Sequence, residues 1–384
     1  MLKDERLMLT EIKRWNALLV AFLFLVSTLL LLRRLVYLSQ AGGGEFQHAD
    51  WLVNYSSGIV RRGISGELFL FISELSHVNP LILVSTVQAV LTVLIIAVLF
   101  AKGLSLRMPD VVVILLVSPA LVLFWVNDST AAYRKELLGL AAFLPLLFPR
   151  SSGSVGVATV VTLYGLSVFF HEANLFLVPG LSAALYFRLG KQKSIGPIAI
   201  LWLISLAAAV FSVIYVSVPD TDAMCTRLLS AGLIDRLCGG IFPWLVDGFG
   251  GTTSAVKVIV LVRVNLAVVA LMIALLLLSC LWIATRVLNG WFEWALFLVS
   301  AGTPFMLYPI ATDWSRWLSM QVFVMTFLLL VLAETRKAIN LPVHRATYVV
   351  VLSFSLLVGI SHIAPEPIEG FVFQFVHAVG VVLG

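Results

Sequence analysis

Long apolar runs separated by short polar breaks set the character of this chain. Many windows exceed the roughly 18 apolar residues that a helix needs to cross a hydrocarbon core of about 30 Å. The period-two alternation of a membrane barrel is absent, so the runs read as helices. They fall at approximately 16–38, 79–101, 109–126, 131–149, 153–170, 173–188, 195–217, 256–284, 291–310, 318–333 and 347–362. The pattern therefore predicts an all-α polytopic membrane protein with about eleven transmembrane helices, in which residues 1–384 form a single transmembrane domain. The last segment, Gly370 to Gly384, is too short to cross and is expected at the interface.

Composition agrees. The chain is 61% hydrophobic and 12% charged, against about 25% charged residues in soluble domains. A water-soluble globule cannot hide so much apolar surface, because its core is limited by its surface-to-volume ratio. The first run lacks a small-residue cleavage pattern and reads as a retained span rather than a signal peptide.

Charge sets the orientation. With the N-terminus inside, the inner segments hold 14 of the 25 Lys and Arg residues and six of the 20 acids. The positive-inside bias then places the C-terminus outside, as expected for a bacterial cell inner (cytoplasmic) membrane protein. Two outer loops are longer than the others, at about 39–78 and 218–255. Within the first, Leu68–Leu75 is expected to lie along the membrane surface as a short helix. The second carries Cys225 and Cys238, which would pair if the loop faces an oxidising compartment. Cys280 sits inside an apolar run. The inner loops are short, and the sequence has no P-loop or dinucleotide glycine fingerprint. Nor is there an internal repeat of the kind that builds many transporters.

The chemistry-bearing residues gather on the outer side in four places. The first runs from Asp50, Trp51, Asn54 and Tyr55 through Gly58, Arg61, Arg62 and Gly63 to Gly66 and Glu67. It combines carboxylates, a doubled Arg and two aromatics able to stack on a sugar ring. Guanidinium suits phosphate, because its planar fork gives parallel charge-assisted hydrogen bonds. The second runs from Asn127 and Asp128 to Tyr133, Arg134, Lys135 and Glu136, at the edge of an apolar run where ionised groups are expensive unless paired or facing a cavity. The third is His171, Glu172 and Asn174 in a tight turn. The fourth is Asp313, Trp314, Arg316 and Trp317, whose Asp and Arg lie three apart on one helix face. Arg263 is placed deep inside the eighth run. The plainer alternatives are interfacial loops, belt aromatics and local ion pairs. Against them, independent ion pairs would not need to collect on one side, whereas a shared outward cavity would require it. A metal site is not indicated, since His171 and Glu172 are adjacent and no second His lies nearby.

The first of these stretches resembles a pattern in multi-pass proteins of bacterial surface-polysaccharide clusters. The layout also resembles the GT-C superfamily of membrane glycosyltransferases, although the large soluble C-terminal domain that some members carry is missing. O-antigen polymerases are similar in size and in their outward arginines, but Arg227 and Arg236 both miss the Arg-to-Gly spacing of their late outer loop. The resemblance implies an integral membrane glycosyltransferase that uses a polyprenyl-phosphate or pyrophosphate sugar at the outer leaflet. Asp50 would act as base, with Glu172 able to exchange roles with it. Arg61, Arg62, Glu67, Arg134, Lys135, His171, Asp313 and Arg316 would bind substrate and its phosphate, and Trp51 and Tyr55 would stack on sugar. No cofactor is expected beyond an optional divalent cation. The expected partners are membrane lipids, a polyprenyl-linked sugar donor and a glycan or lipid-linked acceptor, with no nucleic acid. An oligosaccharide repeat-unit polymerase is the near alternative; a transporter or flippase of lipid-linked or charged substrates, or a non-catalytic partner in an assembly complex, are alternatives of other classes.

Overall fold

A computed structural model describes residues 2–149, 153–214, 219–246, 265–336 and 343–383. Arg263, most of the late outer loop beyond residue 246 and the beginning of the eighth apolar run lie outside the described residues. The chain is helical with almost no sheet. Among the described residues five helices are long and apolar enough to cross a membrane: Lys13–Gln40, Pro80–Ser105, Lys191–Ile214, Leu266–Val287 and Trp314–Thr335. This is compatible with a multi-pass membrane protein.

The helices are α1 (Leu2–Gln40), α2 (Gly63–Ser76), α3 (Pro80–Ser105), α4 (Asp110–Leu116), α5 (Val122–Asn127) and α6 (Glu136–Ala141). They continue with α7 (Ser154–Phe170), α8 (Val178–Leu189), α9 (Lys191–Ile214) and α10 (Thr221–Ser230). Last come α11 (Leu266–Val287), α12 (Trp291–Gly302), α13 (Trp314–Arg336), α14 (Arg345–Leu357) and α15 (Phe371–Leu383). A two-stranded antiparallel hairpin, β1 (Val358–Ile360) with β2 (Pro367–Glu369), separates the last two helices.

Local sequence explains the helix ends. Asn79 caps α3 by accepting from the Leu81 amide at 2.8 Å, and Pro80 takes the first helical position, where no amide donor is needed. Asp220 caps α10 in the same way, accepting from Asp222 and Ala223.

The core differs from a row of straight spans. Helix α13 runs through the middle, packed by α8, α11 and α12. Against it lies the segment from Asp110 to Leu147, expected to be two continuous spans at 109–126 and 131–149. It is broken into α4, α5, α6 and a 3-10 turn at Leu144–Leu147. Pro119 disfavours helical geometry at the residue before it, and Tyr133 adopts a left-handed φ of 63°. These short pieces are almost wholly buried, with Trp125 stacked on Phe323 and Phe143 on Phe327, each at 5.1 Å between ring centres. Irregular backbone at membrane depth is tolerated only where protein surrounds it, as it does here. The expected run at 347–362 likewise ends early, at Leu357, because Gly359, Pro365 and Pro367 belong to the hairpin and its turn.

In the first long loop, α2 forms where a short surface helix was expected. It exposes Leu68, Phe71, Ile72 and Leu75. Gly66 lets it approach the preceding 3-10 turn (Ala49–Leu52): a side chain there would meet the Val53 carbonyl oxygen at 2.1 Å. The second long loop folds over the first. Arg227 pairs with Glu67 at 2.8 Å, and Asn54 donates to the Met224 carbonyl. The Cys225–Cys238 disulfide ties α10 to the turn at Asp235–Cys238.

Candidate functional site

All four polar segments meet at the end of the bundle where α1 finishes and α3 and α13 begin. Five stretches of chain contribute: the Asp50 turn, the Arg61–Arg62 entry to α2, the Arg134–Glu136 entry to α6, the His171–Glu172 turn after α7, and the Asp313–Arg316 entry to α13.

Arg62 is the hub of one half. Its guanidinium donates to both oxygens of Glu172, at 2.6 to 3.0 Å, and lies 3.6 Å from Asp50. Arg62 holds a left-handed φ of 67° at the N-terminus of α2. That conformation costs a non-glycine residue of order 1–3 kcal/mol and persists only where surroundings enforce it; the bidentate pair does so. Arg61 stands 4.0 Å from Glu172. Asp50 is 2% exposed, and Lys135, fully buried, reaches it at 3.8 Å while donating to the Arg62 carbonyl at 3.2 Å.

Arg316 is the hub of the other half. It pairs with Glu136 from α6 and with Asp313 one turn earlier. Arg134 reaches Asp313 at 3.7 Å and lies over the Phe46 ring. His171 joins the halves, with Nε2 3.3 Å from Glu136 and Nδ1 3.4 Å from Glu172. The result is one continuous network in which Arg61, Arg62, Arg134, Lys135 and Arg316 face Asp50, Glu136, Glu172 and Asp313.

Burial alone would push the carboxyls up. For Asp50 the charges of Lys135, Arg62, His171 and Arg134 outweigh burial and hold it below the usual range. For Glu172, Arg62 and His171 do the same and hold it well below. Arg316 and Arg134 lower Asp313. All three are ionised and, with cations beside them, weak proton acceptors; Glu172 and Asp313 accept hydrogen bonds from arginine, whereas Oδ1 of Asp50 is buried without a hydrogen-bond partner among the described residues.

A cavity of about 20 Å³, enough for one water, opens between α5, α6 and α13, lined by Trp125, Tyr133, Arg134, Glu136, Arg316 and Ser319. Nε and Nη1 of Arg134 and one oxygen of Glu136 are buried without a hydrogen-bond partner among the described residues. Buried polar atoms normally have partners, so this is where an oxygen-bearing ligand would gain most.

Several expected roles change. Trp51 cannot stack on a sugar: it is fully buried, its indole donates to the Tyr133 carbonyl at 2.8 Å, and Phe69 and Phe170 meet it edge-on. Tyr55 packs its ring against Gly63 and its amide on Glu67. Glu67 is turned away from the network, towards Arg227. His171 lies between two carboxylates, those of Glu136 and Glu172.

Glu136 and Asp128 belong to the second of the four outer stretches without a role assigned to either, and His362 belongs to none of them. Glu136 reads in sequence as the local partner of Arg134 and Lys135. Asp128 accepts from both the amide and Nδ1 of His362, each at 2.8 Å, across 234 residues. Only the Ser361-His362 break between an apolar run and a proline-rich turn could have flagged the histidine.

Among the described residues, Cys225, Asp235 and Cys238 are the one group close enough to share a metal ion. The two sulfurs are bonded to each other, so neither is a thiolate ligand. Comparison of the chain with protein-family models, curated proteins and solved structures finds no match to any of them.

Proposed function

We propose that the chain is a membrane glycosyltransferase that takes its sugar from a polyprenyl-linked phosphate or pyrophosphate donor. The reading further holds that about eleven spans cross a bacterial inner membrane and that the site end faces outward. One observation carries it: cations and carboxylates from five distant stretches converge in a single buried network, with an Arg134 guanidinium that still has two unpartnered N–H groups beside a cavity. Such a donor is an apolar tail with an anionic head at headgroup depth. Arg61, Arg62 and Arg134 would hold the phosphate and stabilise the charge developing on it as it leaves. Asp50, Glu136, Glu172 and Asp313 hold those cations in place, because ionised groups this deep need partners. The exposed apolar face of α2, directly after Arg62, suits the polyprenyl tail. The disulfide in the loop that covers this end suits an oxidising compartment.

A transporter would place its polar groups near the middle of the spans, between broken helices of matched halves. Here the densest polar cluster lies at one end. The test is complementation of a deletion strain. Arg61→Ala and Asp50→Asn are expected to abolish surface-glycan production while the protein inserts at its normal level. Normal glycan in both variants overturns the reading.

A further inference from the structure

Every carboxylate of the network is held by cations, which leaves the transfer reaction without an obvious proton acceptor. Asp50 is flanked by Lys135 and Arg62, Glu172 is clamped by Arg62, and Glu136 and Asp313 share Arg316. A base must bind the proton it removes, and a carboxylate whose charge is already stabilised by guanidinium binds it poorly.

The β1–β2 hairpin brings a different group to the same place. Its turn docks on the entry to α13, where the Trp314 amide donates to the Ile363 carbonyl at 2.8 Å. Gly359 on β1 lies against Asn127: a side chain there would meet the Asn127 Cβ at 2.9 Å. This fixes His362 over the Asp128–Thr130 corner. Asp128 Oδ2 accepts from both the His362 amide and the ring Nδ1, and Thr130 Oγ1 lies 2.7 Å from the same Nδ1. Asp128 is mostly buried, and the hydrogen bonds from His362 and Thr130 outweigh that burial, so its carboxyl is lowered to about 2. It is therefore ionised and fixes the ring with the proton on Nδ1. Nε2, the other ring nitrogen, makes no hydrogen bond to a described residue, and the side chain is 29% exposed. The groups facing the ring are Asp128 from the end of α5 and Asp313 from the entry to α13, with Arg134 and Arg316 behind Asp313; the carboxylate of Glu366 on the same hairpin accepts instead from the Asn265 amide.

We infer that His362 is the general base of the transfer, with Asp128 as its positioning residue. The acceptor hydroxyl gives its proton to Nε2, and its oxygen forms the new bond to the anomeric carbon of the donor sugar. The bond from that carbon to the phosphate oxygen breaks, and its electron pair leaves with the phosphate towards Arg134 and Arg62. The proton ends on the imidazole, whose positive charge Asp128 stabilises. The inference rests on the transferase reading and replaces Asp50 as the base within it.

The experiment uses the full chain in the deletion strain, with Arg61→Ala as the reference. General-base catalysis is worth roughly 10²–10⁴-fold. His362→Gln, which keeps a side-chain amide for Asp128, is expected to lower glycan synthesis at least about 100-fold at unchanged protein level. Asp128→Asn is expected to give a smaller loss. In spheroplasts buffered from about pH 5 to about pH 8, the range in which imidazoles exchange their proton, synthesis by the parent chain falls on the acid side. The residual activity of His362→Gln lacks that fall. If Arg61→Ala abolishes glycan while His362→Gln supports it with the parent pH profile, the inference is overturned and the transferase reading stands. If neither variant alters glycan, both fail together.

Discussion

The two ends of α13 each carry a buried ionic cluster, and they are built differently. At one end Glu334 is held by Lys102 from α3 and Arg188 from α8, the latter at 2.9 Å, with Lys102 also 5.6 Å above the Phe148 ring. Lys102 is fully buried, and three helix ends are stitched together at one point. At the other end, roughly 27 Å away at 1.5 Å per residue, the network around Arg316 and Arg62 spans five segments. Left-handed non-glycine residues stand near both ends, Arg62 and Tyr133 here and Arg107 and Met108 after α3 there, and both leave guanidinium nitrogens unpartnered, Nε of Arg188 there and Nε and Nη1 of Arg134 here; at this end the unpartnered nitrogens lie beside a cavity. A staple needs only matched charges. A cluster that gathers five distant segments and sets its open donors beside a cavity has room for a group beyond its own members. Net stability is a poor explanation for either, since a buried ion pair often contributes less than an apolar replacement of the same volume. The difference therefore lies in what each cluster does once the fold exists.

The sharpest way to break this comparison is to replace the central charges at each end by apolar residues. Replacing Lys102, Arg188 and Glu334 together by Met, Met and Leu should leave the proposed glycan synthesis intact and change stability by no more than about 1–4 kcal/mol, in the stabilising direction where the side chains pack. Replacing Glu136 and Arg316 by Leu and Met should abolish the proposed synthesis, by at least about 100-fold per folded molecule, beyond whatever stability is lost when Asp313 loses a partner. Equal behaviour of the two constructions would erase the distinction. The next effect is Glu334→Ala alone, which strands two buried cations. It should cost about 3–5 kcal/mol of stability, read as a lower melting temperature in detergent, with activity per folded molecule preserved.

Smaller effects sharpen the picture at the site end. Cys225→Ser with Cys238→Ser removes a bridge across a sequence separation of 13. Its loss should cost about 3 kcal/mol of local stability, seen as faster hydrogen exchange in residues 219–246 and 42–67 while α13 is unchanged. Acid should act at the same end. Asp50, Glu172 and Asp313 are held below their ordinary values in the fold, so their contribution is complete above the unfolded carboxylate range, near about pH 4, and is lost as pH falls through the lower folded values. The melting temperature should be flat between about pH 7 and pH 5 and fall below about pH 4. Exchange should rise around Asp50–Arg62 before it rises in α3 or α13.

Much of this was legible in the chain. The apolar runs that became α1, α3, α9, α11 and α13 are long enough to be read by length alone, and a short helix was visible in Leu68–Leu75, within α2. The four polar segments were visible as breaks in an otherwise apolar sequence, and they do meet. What misled was the assumption that an apolar run is one helix. Between Asp110 and Leu147 apolar residues line the core as fragments, because a segment surrounded by protein has no lipid forcing it into one continuous helix. Aromatic residues misled for a similar reason: Trp51 in a loop reads as a ligand platform or a belt residue, and only packing reveals that Phe69, Phe170 and the Tyr133 carbonyl enclose it.

Composition and run length by themselves determined that this chain is helical and suited to a membrane, since hydrophobic length is a local property that every window reports independently. Which charges face which is not local. The pairs Arg62–Glu172, Arg316–Glu136 and Asp128–His362 join positions 110, 180 and 234 residues apart. Nothing in either partner's neighbourhood encodes the other. Only the tertiary fold, by bringing the ends of distant helices to one place, decided that these side chains share a site.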